Sequence, residues 1–240
     1  MPLQLVKTNA DISNANLTRC ANCKIRSHSF CRKLSPENEK EFSCISKDLK
    51  FKDKQNIFLQ EEAATKLYNI TSGNVKIYKL LSDGRIQIIG FLYPGDFFGS
   101  FKNECYTYSS DAIGEVTTCA FKMKDLQKFI EHDLMLANGL LHQTSHELNL
   151  AQDRISILGK LHALERLAAF ILNISDQRAR IGWQDNPISL PMTRQDIADY
   201  LGLTIETVSR CITHLKTDNI IKLINNKTIY IADREKLELY

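Results

Sequence analysis

The sequence predicts an α+β chain: a small antiparallel β-roll, then a long helix, then a winged helix-turn-helix. Three observations carry this. Short apolar runs punctuated by turn residues fill residues 34–125. A seven-residue apolar repeat occupies 126–159. The stretch Thr193 to Ile212, TRQDIADYLGLTIETVSRCI, has the spacing of two helices packed across a tight turn. The chain accordingly divides into a cysteine-rich segment at 1–33, a β-roll at 34–125, a long helix at 126–159 and a winged helix-turn-helix domain at 160–240.

Composition bounds the reading. The chain has 240 residues, 43% of them hydrophobic, enough for one large core or two ordinary ones. No run approaches the ~18 apolar residues of a membrane span. The opening residues lack the apolar stretch of a signal peptide, so a cytoplasmic location is expected. Net charge is only +3. From Pro187 onward seven Lys/Arg balance seven Asp/Glu, so any nucleic-acid contact must come from charge placed on one face. Seven cysteines, an odd number, argue against a disulfide framework and for metal or redox chemistry.

The elements follow in order. Residues 1–33 are polar and hold Cys20-x2-Cys23-x7-Cys31. Such a segment has little core of its own and is expected to need a bound ion or cluster for order. IFLQ, KLYNIT, NVKIYKLL, IQIIGFLY and EVTTCAFK then read as strands, separated by Gly73, Asp83-Gly84, Pro94-Gly95-Asp96 and Gly114. From 125 to 159 Leu134, Leu141, Leu148 and Ile155 recur every seven residues. Ala137, Thr144, Ala151 and Leu158 follow three later, which completes an a/d seam. A seam this regular is better satisfied by the same helix of a second copy than by the chain's own roll. His162 to Ile174 is a further amphipathic helix. In the helix-turn-helix, Thr193 caps the first helix with Asp196 as reciprocal partner, Gly202 makes the turn and Thr204 caps the second helix. Ile197, Leu201, Leu203, Val208 and Cys211 form the inner face, with Ala198 small at the crossing. IIKLINNKTIYIA then reads as a hairpin wing around Asn225-Asn226.

Glu206, Ser209 and Arg210 stand at i, i+3 and i+4 and project from one face of the second helix. Arg can bond a guanine bidentately and Glu can accept from a cytosine amine, so the pair can read one G·C pair. The competing reading is a solvated face carrying a Glu206–Arg210 ion pair. Arg194, Lys216, Lys222 and Lys227 are candidate phosphate contacts.

Three cysteines within twelve residues need one further ligand to complete a tetrahedral zinc site or a cubane iron–sulfur cluster. His28, inside the loop, gives a zinc site of three cysteines and one histidine as a rival. Candidates for a fourth thiolate are Cys44, Cys105, Cys119 and Cys211. Cys211 faces the helix-turn-helix core and Cys44, in FSCIS, reads as buried. Local pattern leaves Cys105 and Cys119 open.

The chain resembles the CRP–FNR family of bacterial transcription regulators, and more narrowly its oxygen-responsive FNR branch. The resemblance covers nearly all of residues 20–235. MTRQDIADYLGLTIETVSR is similar to the branch's DNA-binding signature, ERLAAFILNIS to the helix before it, and GFLYPGDFFGS to the family's barrel turn. It implies a cyclic-nucleotide-binding-like β-roll, a dimer helix and a winged helix-turn-helix. It implies one 4Fe–4S cluster per subunit on Cys20, Cys23, Cys31 and Cys119. Cys119 is preferred to Cys105 because the family's barrel cysteine closes a stretch like EVTTCAFK. Glu206, Ser209 and Arg210 match the base-reading residues, and the implied target is a palindrome of TTGAT-like half-sites. The homodimer would pair through Leu141, Leu148, Ala151, Ile155 and Leu158. Asp153 matches an acid whose charge disfavours pairing until the cluster is intact, although the heptad phase puts it on the outer side. RNA polymerase is the implied partner of the Ser82-Asp83-Gly84-Arg85 turn.

Two departures concern the cluster loop. The gap of seven after Cys23 is longer than in the best-known member, and Lys24 puts a positive charge where the family often has a small residue. Phe30, beside Cys31, is bulky and is expected to shield the cluster from oxygen. The family's other mode, cyclic nucleotide binding, needs an Arg in the segment that is here SFKNECYTYSSD, which has none, so no cyclic nucleotide is expected. No catalytic constellation is present and the chain is not expected to be an enzyme. The rivals are a zinc or thiol switch on the same scaffold and, from another class, an iron–sulfur electron carrier.

Overall fold

The computed structural model describes residues 19–100, 104–180 and 182–240. Residues 1–18 of the cysteine-rich segment, and 101–103 of the SFKNECYTYSSD stretch, lie outside them. Two short 3-10 turns, Arg26–His28 and Phe30–Lys33, lead into helix α1 (Glu39–Ile45). Six strands follow: β1 (Ser46–Phe51), β2 (Asn56–Phe58), β3 (Lys66–Leu80), β4 (Ile86–Leu92), β5 (Phe97–Gly99) and β6 (Ser109–Lys122). They make one antiparallel sheet in the order β1-β6-β3-β4, with β2 on β6 and β5 on β3. The expected β-roll is therefore present.

KLYNIT and NVKIYKLL are one strand, not two. The register shifts beside Gly73, whose φ is +82°, and a Cβ there would lie 2.3 Å from the Glu115 carbonyl oxygen. The glycine absorbs a bulge rather than making a turn. Phe58, Tyr68, Phe98 and Tyr106 stack inside the roll and fill it.

Helices α2 (Met123–His132) and α3 (Leu134–Lys160) replace the single helix expected over 125–159. Asp133 breaks it. Its side chain accepts from the Leu136 amide at 2.9 Å and so caps α3, and also accepts from Asn38 at 2.9 Å. α3 has 27 residues and spans about 40 Å. Its first turns bury Leu136, Gly139 and Leu140 against the roll. The opposite stripe, Leu134, Leu141, Leu148 and Ile155, is 74, 66, 57 and 71% exposed. The packing on its own roll thus mostly uses other positions: that stripe is left uncovered, whereas Ala137 and Leu158 are half-covered.

The C-terminal part comprises α4 (Ala163–Arg180), β7 (Ile188–Ser189), α5 (Arg194–Leu201), α6 (Ile205–Thr217), β8 (Ile221–Asn225), β9 (Thr228–Ile231) and α7 (Arg234–Glu238). The three strands form a small sheet in the order β7-β9-β8, the expected wing. Leu167, Ile171, Ile197, Val208, Leu215 and Ile221 are fully buried in one core beneath it. Among the described residues no helix is long and apolar enough to cross a membrane.

Candidate metal centre and DNA-reading face

The thiol group is built where three pieces of chain meet. Cys20 and Cys23 lie in the turn before Arg26–His28, and the Cys23 amide donates to the Cys20 carbonyl at 3.3 Å. Cys31 lies in the next 3-10 turn, where its amide donates to Ser29 Oγ at 3.3 Å. Cys119 comes from β6, with Asp48 of β1 and Asn69 of β3 beside it in register. Cys20, Cys23 and Cys119 line one cavity of about 480 Å³. Cys31 sits within electrostatic reach of all three.

The other cysteines do not line that cavity. Cys105 is exposed, in an isolated bridge opposite Ala63. Cys211 is buried in the helix-turn-helix core, as expected. Cys44 is exposed, against expectation. Phe42 is the residue that α1 buries, and two residues further on a helix points to the opposite side. His28 does not complete the thiol set. It lines a different cavity, with Gly139, His142 and His146 of α3.

Burial is the main influence on these thiols. It pushes Cys119 up to about 12, Cys31 higher still, and Cys20 in the same direction. Hydroxyls of Ser46, Ser29 and Ser43 oppose the shift at Cys119, Cys31 and Cys20 respectively. Metal ligation requires thiolates, so a cationic centre is what would deprotonate such a set. Among the described residues no three His, Cys, Asp or Glu side chains converge tightly enough for a single metal ion. A lone zinc with Zn–S bonds of ~2.3 Å needs its sulfurs within about 4 Å of one another. A multi-iron centre holds its four sulfurs farther apart, and Cys20, Cys23, Cys31 and Cys119 are the residues that could supply them.

The segment carrying three of the thiols is docked, not loose. Ile25, Phe30 and Leu34 are buried. Phe30 is only 2% exposed, and its ring meets those of Phe42, Phe97 and Phe121 edge-on at 5.9 to 6.4 Å. Phe30 is thus an anchor in an aromatic core against which Cys20, Cys31 and Cys119 pack. Two glycines permit the docking. A Cβ on Gly139 of α3 would lie 2.6 Å from the Phe30 carbonyl oxygen, and one on Gly95 would lie 2.8 Å from that of His28. Arg19 adds a clamp, donating to the Ser43 carbonyl at 2.7 Å and to Ser46 Oγ at 3.1 Å. None of these contacts was legible in the cysteine spacing. An isolated glycine inside a helical pattern, at 139, was the available signal.

The reading face takes its shape from its caps. Thr193 and Asp196 form the full capping box on α5. Gly202 turns the chain in the left-handed region, with φ +64°. Thr204 accepts from the Thr207 amide at 3.2 Å and starts α6. Val208, Cys211, Ile212 and Leu215 face inward against α5, so Glu206, Ser209 and Arg210 are exposed together. The Glu206–Arg210 ion pair is not among the salt bridges of the described residues. Arg210 donates to Thr207 Oγ1 at 3.2 Å, and Ser209 donates to the Ile205 carbonyl at 2.8 Å. The Glu206 backbone N–H, the Thr204 hydroxyl and the nearby Arg210 charge hold the Glu206 carboxyl below its usual range. The face therefore offers one anionic acceptor beside one cationic fork. Lys216, Lys222 and Lys227 are exposed around it, and Arg194 is half-buried.

Along the stripe expected to pair, Leu141, Leu148, Ala151 and Ile155 are exposed and Leu158 is half-covered; Asp153 is exposed as well.

Comparison with known proteins extends the picture. Residues 165–240 match the Crp-like helix-turn-helix domain, and residues 48–133 match the cyclic nucleotide-binding domain. The chain is 40% identical over 207 residues to the transcriptional activatory protein AadR of Rhodopseudomonas palustris, covering 86% of this chain and 87% of that protein. It is 39% identical to the nitrogen fixation regulation protein FixK of Bradyrhizobium diazoefficiens, over 91% and 92% of the two chains. The solved structure of FixK2 from Bradyrhizobium japonicum superposes with a TM-score of 0.76 at 34% identity, covering 81% of this chain and 96% of that one.

Proposed function

Because this chain belongs to the CRP–FNR family of DNA-binding transcription regulators, and is not an enzyme, we propose that it is an oxygen-responsive member whose four thiolates govern its dimerisation. The single observation that carries the reading is the meeting of Cys20, Cys23, Cys31 and Cys119 at the edge of the roll. Those four residues would hold a 4Fe–4S cluster, one per subunit. When bound, such a cluster supplies an oxygen-labile link between the N-terminal segment and β6.

The chain's own residues then relate that link to DNA. Phe30 precedes Cys31, and its carbonyl rests against Gly139 of α3. Freedom gained at Cys31 is felt at the helix that carries the seam. Two copies pairing along α3 would bring together eight exposed Leu and Ile side chains from Leu134, Leu141, Leu148 and Ile155. At ~1.5–3 kcal/mol for each fully buried side chain, this is of the same order as the ~4–15 kcal/mol that association costs. A dimer so balanced is sensitive to a small change at α3. Pairing would present two α6 helices to successive major grooves of a palindrome with TTGAT-like half-sites. Glu206, Ser209 and Arg210 would read the bases.

The AadR and FixK names, a transcriptional activatory protein and a nitrogen fixation regulation protein, support activation of nitrogen-fixation genes as the setting. A cavity of about 540 Å³ between the roll and α3 supports the absence of a cyclic nucleotide. Its walls include Leu67, Phe97, Phe98 and Leu140, and its charged lining among the described residues is Glu147, which would repel a phosphate. RNA polymerase is the proposed partner of the β3–β4 hairpin tip, where Leu80, Leu81 and Ile86 are exposed around the Asp83–Arg85 pair.

Anaerobic purification with iron, sulfide and zinc quantified, followed by the visible spectrum in air, tests the cluster. About four iron and four sulfide per chain, bleaching in air, is the expected result. Zinc, or no metal, would leave a DNA-binding regulator and remove the cluster.

A further inference from the structure

Three side chains from the roll and the dimer helix converge on α5. Lys76 Nζ of β3 meets Asp196 Oδ1 at 2.7 Å. Gln87 Nε2 of β4 donates to the Asp199 carbonyl at 2.6 Å. Arg154 of α3 donates to the Tyr200 carbonyl at 2.9 Å, and also to the carbonyls of Ile88 and Ile89 in β4. Its guanidinium lies 4.0 Å from the centre of the Tyr200 ring.

Arg154 is unusual among these. It is half-buried, its acceptors are three backbone carbonyls, and its Nε is buried without a partner. A half-buried cation held by carbonyls and one ring face contributes little net stability after its desolvation. Its fork does contribute geometry, because one planar group ties α3, β4 and α5 together at fixed angles. Phe91 of β4 also packs against Phe170 and Tyr200 there, at 6.1 and 5.1 Å between ring centres. A cavity of about 500 Å³ opens at the same junction, between Gly90, Phe91, Arg154 and Tyr200. Nor do these bonds cover the reading surface, since Glu206, Ser209 and Arg210 stay exposed on α6.

We infer that Arg154, supported by Lys76 and Gln87, is a positioning residue that fixes the rotation of α5–α6 against the roll and α3. In a dimer paired along α3 that rotation sets the distance between the two recognition helices. Arg154 therefore determines which half-site spacing the dimer accepts. This rests on the palindrome-reading dimer proposed above.

The test uses the full chain, anaerobic, on duplexes that carry the same two half-sites with the centre kept or changed by one or two base pairs, and on a duplex with one half-site. The wild type should prefer one spacing. Arg154→Met keeps much of the side-chain volume but removes every donor. It should bind the preferred spacing about tenfold more weakly, bind the single half-site as before, and lose the preference among spacings. Arg154→Lys keeps the charge and loses the fork, and should not restore the preference. Lys76→Met, a change in a different element, should weaken the preference in the same direction. If Arg154→Met loses affinity for every duplex in parallel, or keeps the wild-type order of spacings, Arg154 is merely structural and the inference is overturned. Tighter binding by Arg154→Met would overturn it too, marking the contact as a restraint. A wild type indifferent to spacing would instead refute the palindrome reading, and this inference with it.

Discussion

Arg210 donates to Thr207 and not to Glu206, so its fork is held near the start of α6 with most of its donors outward. A side chain so placed is available for the base reading proposed above. Arg210→Ala should therefore abolish discrimination at one G·C position while the dimer stays folded; binding to duplexes substituted at each position measures this, and unchanged preference would remove Arg210 from base reading. Asp133 acts on stability. Burial favours its neutral form, but bonds from Asn38, the Leu136 amide and Ser35 outweigh that and hold its carboxyl below the usual range. A depressed folded-state value means that its stabilisation is present above the unfolded value of about 3.9 and is lost as pH falls through the folded one. Asp133→Ala should cost roughly 1 kcal/mol at neutral pH, and the gap from wild type in urea unfolding should close below about pH 4. A gap that stays constant through the acid range would contradict this account. Arg210 could be singled out from sequence because its spacing with Glu206 and Ser209 is local. Asp133 could not, because its partner Asn38 is 95 residues away.

At the scale of elements, the same distinction decides what could be read in advance. The helix-turn-helix was legible because its cap, turn glycine and inner face are all specified within twenty residues, and each stands where expected. The exposed stripe of α3 was legible because the heptad repeat marks positions that the chain itself leaves uncovered. The break before α3, the bulge at Gly73 and the exposure of Cys44 were not, since each depends on which face packs against a distant element. The fourth thiol is the sharpest case. Pattern left Cys105 and Cys119 equivalent, whereas the register of β6 between β1 and β3 puts Cys119 beside Cys20 and Cys23. The uncovered stripe carries its own prediction. Leu148→Glu lies well away from the buried Leu136, Gly139 and Leu140 face, so the fold and melting temperature of the subunit should change little. It should halve the mass measured by sedimentation under anaerobic conditions and remove DNA binding with it. A dimer that survives the substitution would show that copies pair elsewhere.

For the whole molecule, one line of contacts runs from the thiols to the reading face. The segment with Cys20, Cys23 and Cys31 docks through Phe30 onto α3 at Gly139; α3 carries the seam; Arg154, farther along α3, bonds α5. The thiols, the exposed stripe of α3 and the placement of α6 are thereby features of one connected body. The central claim is that opening the thiolate site undoes pairing and DNA binding together. The most direct measurement follows one anaerobic sample through exposure to air, recording the visible spectrum, the sedimenting mass and the affinity for a palindromic duplex at matched times. The account predicts that colour, dimer and affinity fall in parallel, and that Cys119→Ser starts where the aerated wild type ends. Loss of colour with dimer and affinity intact would contradict it.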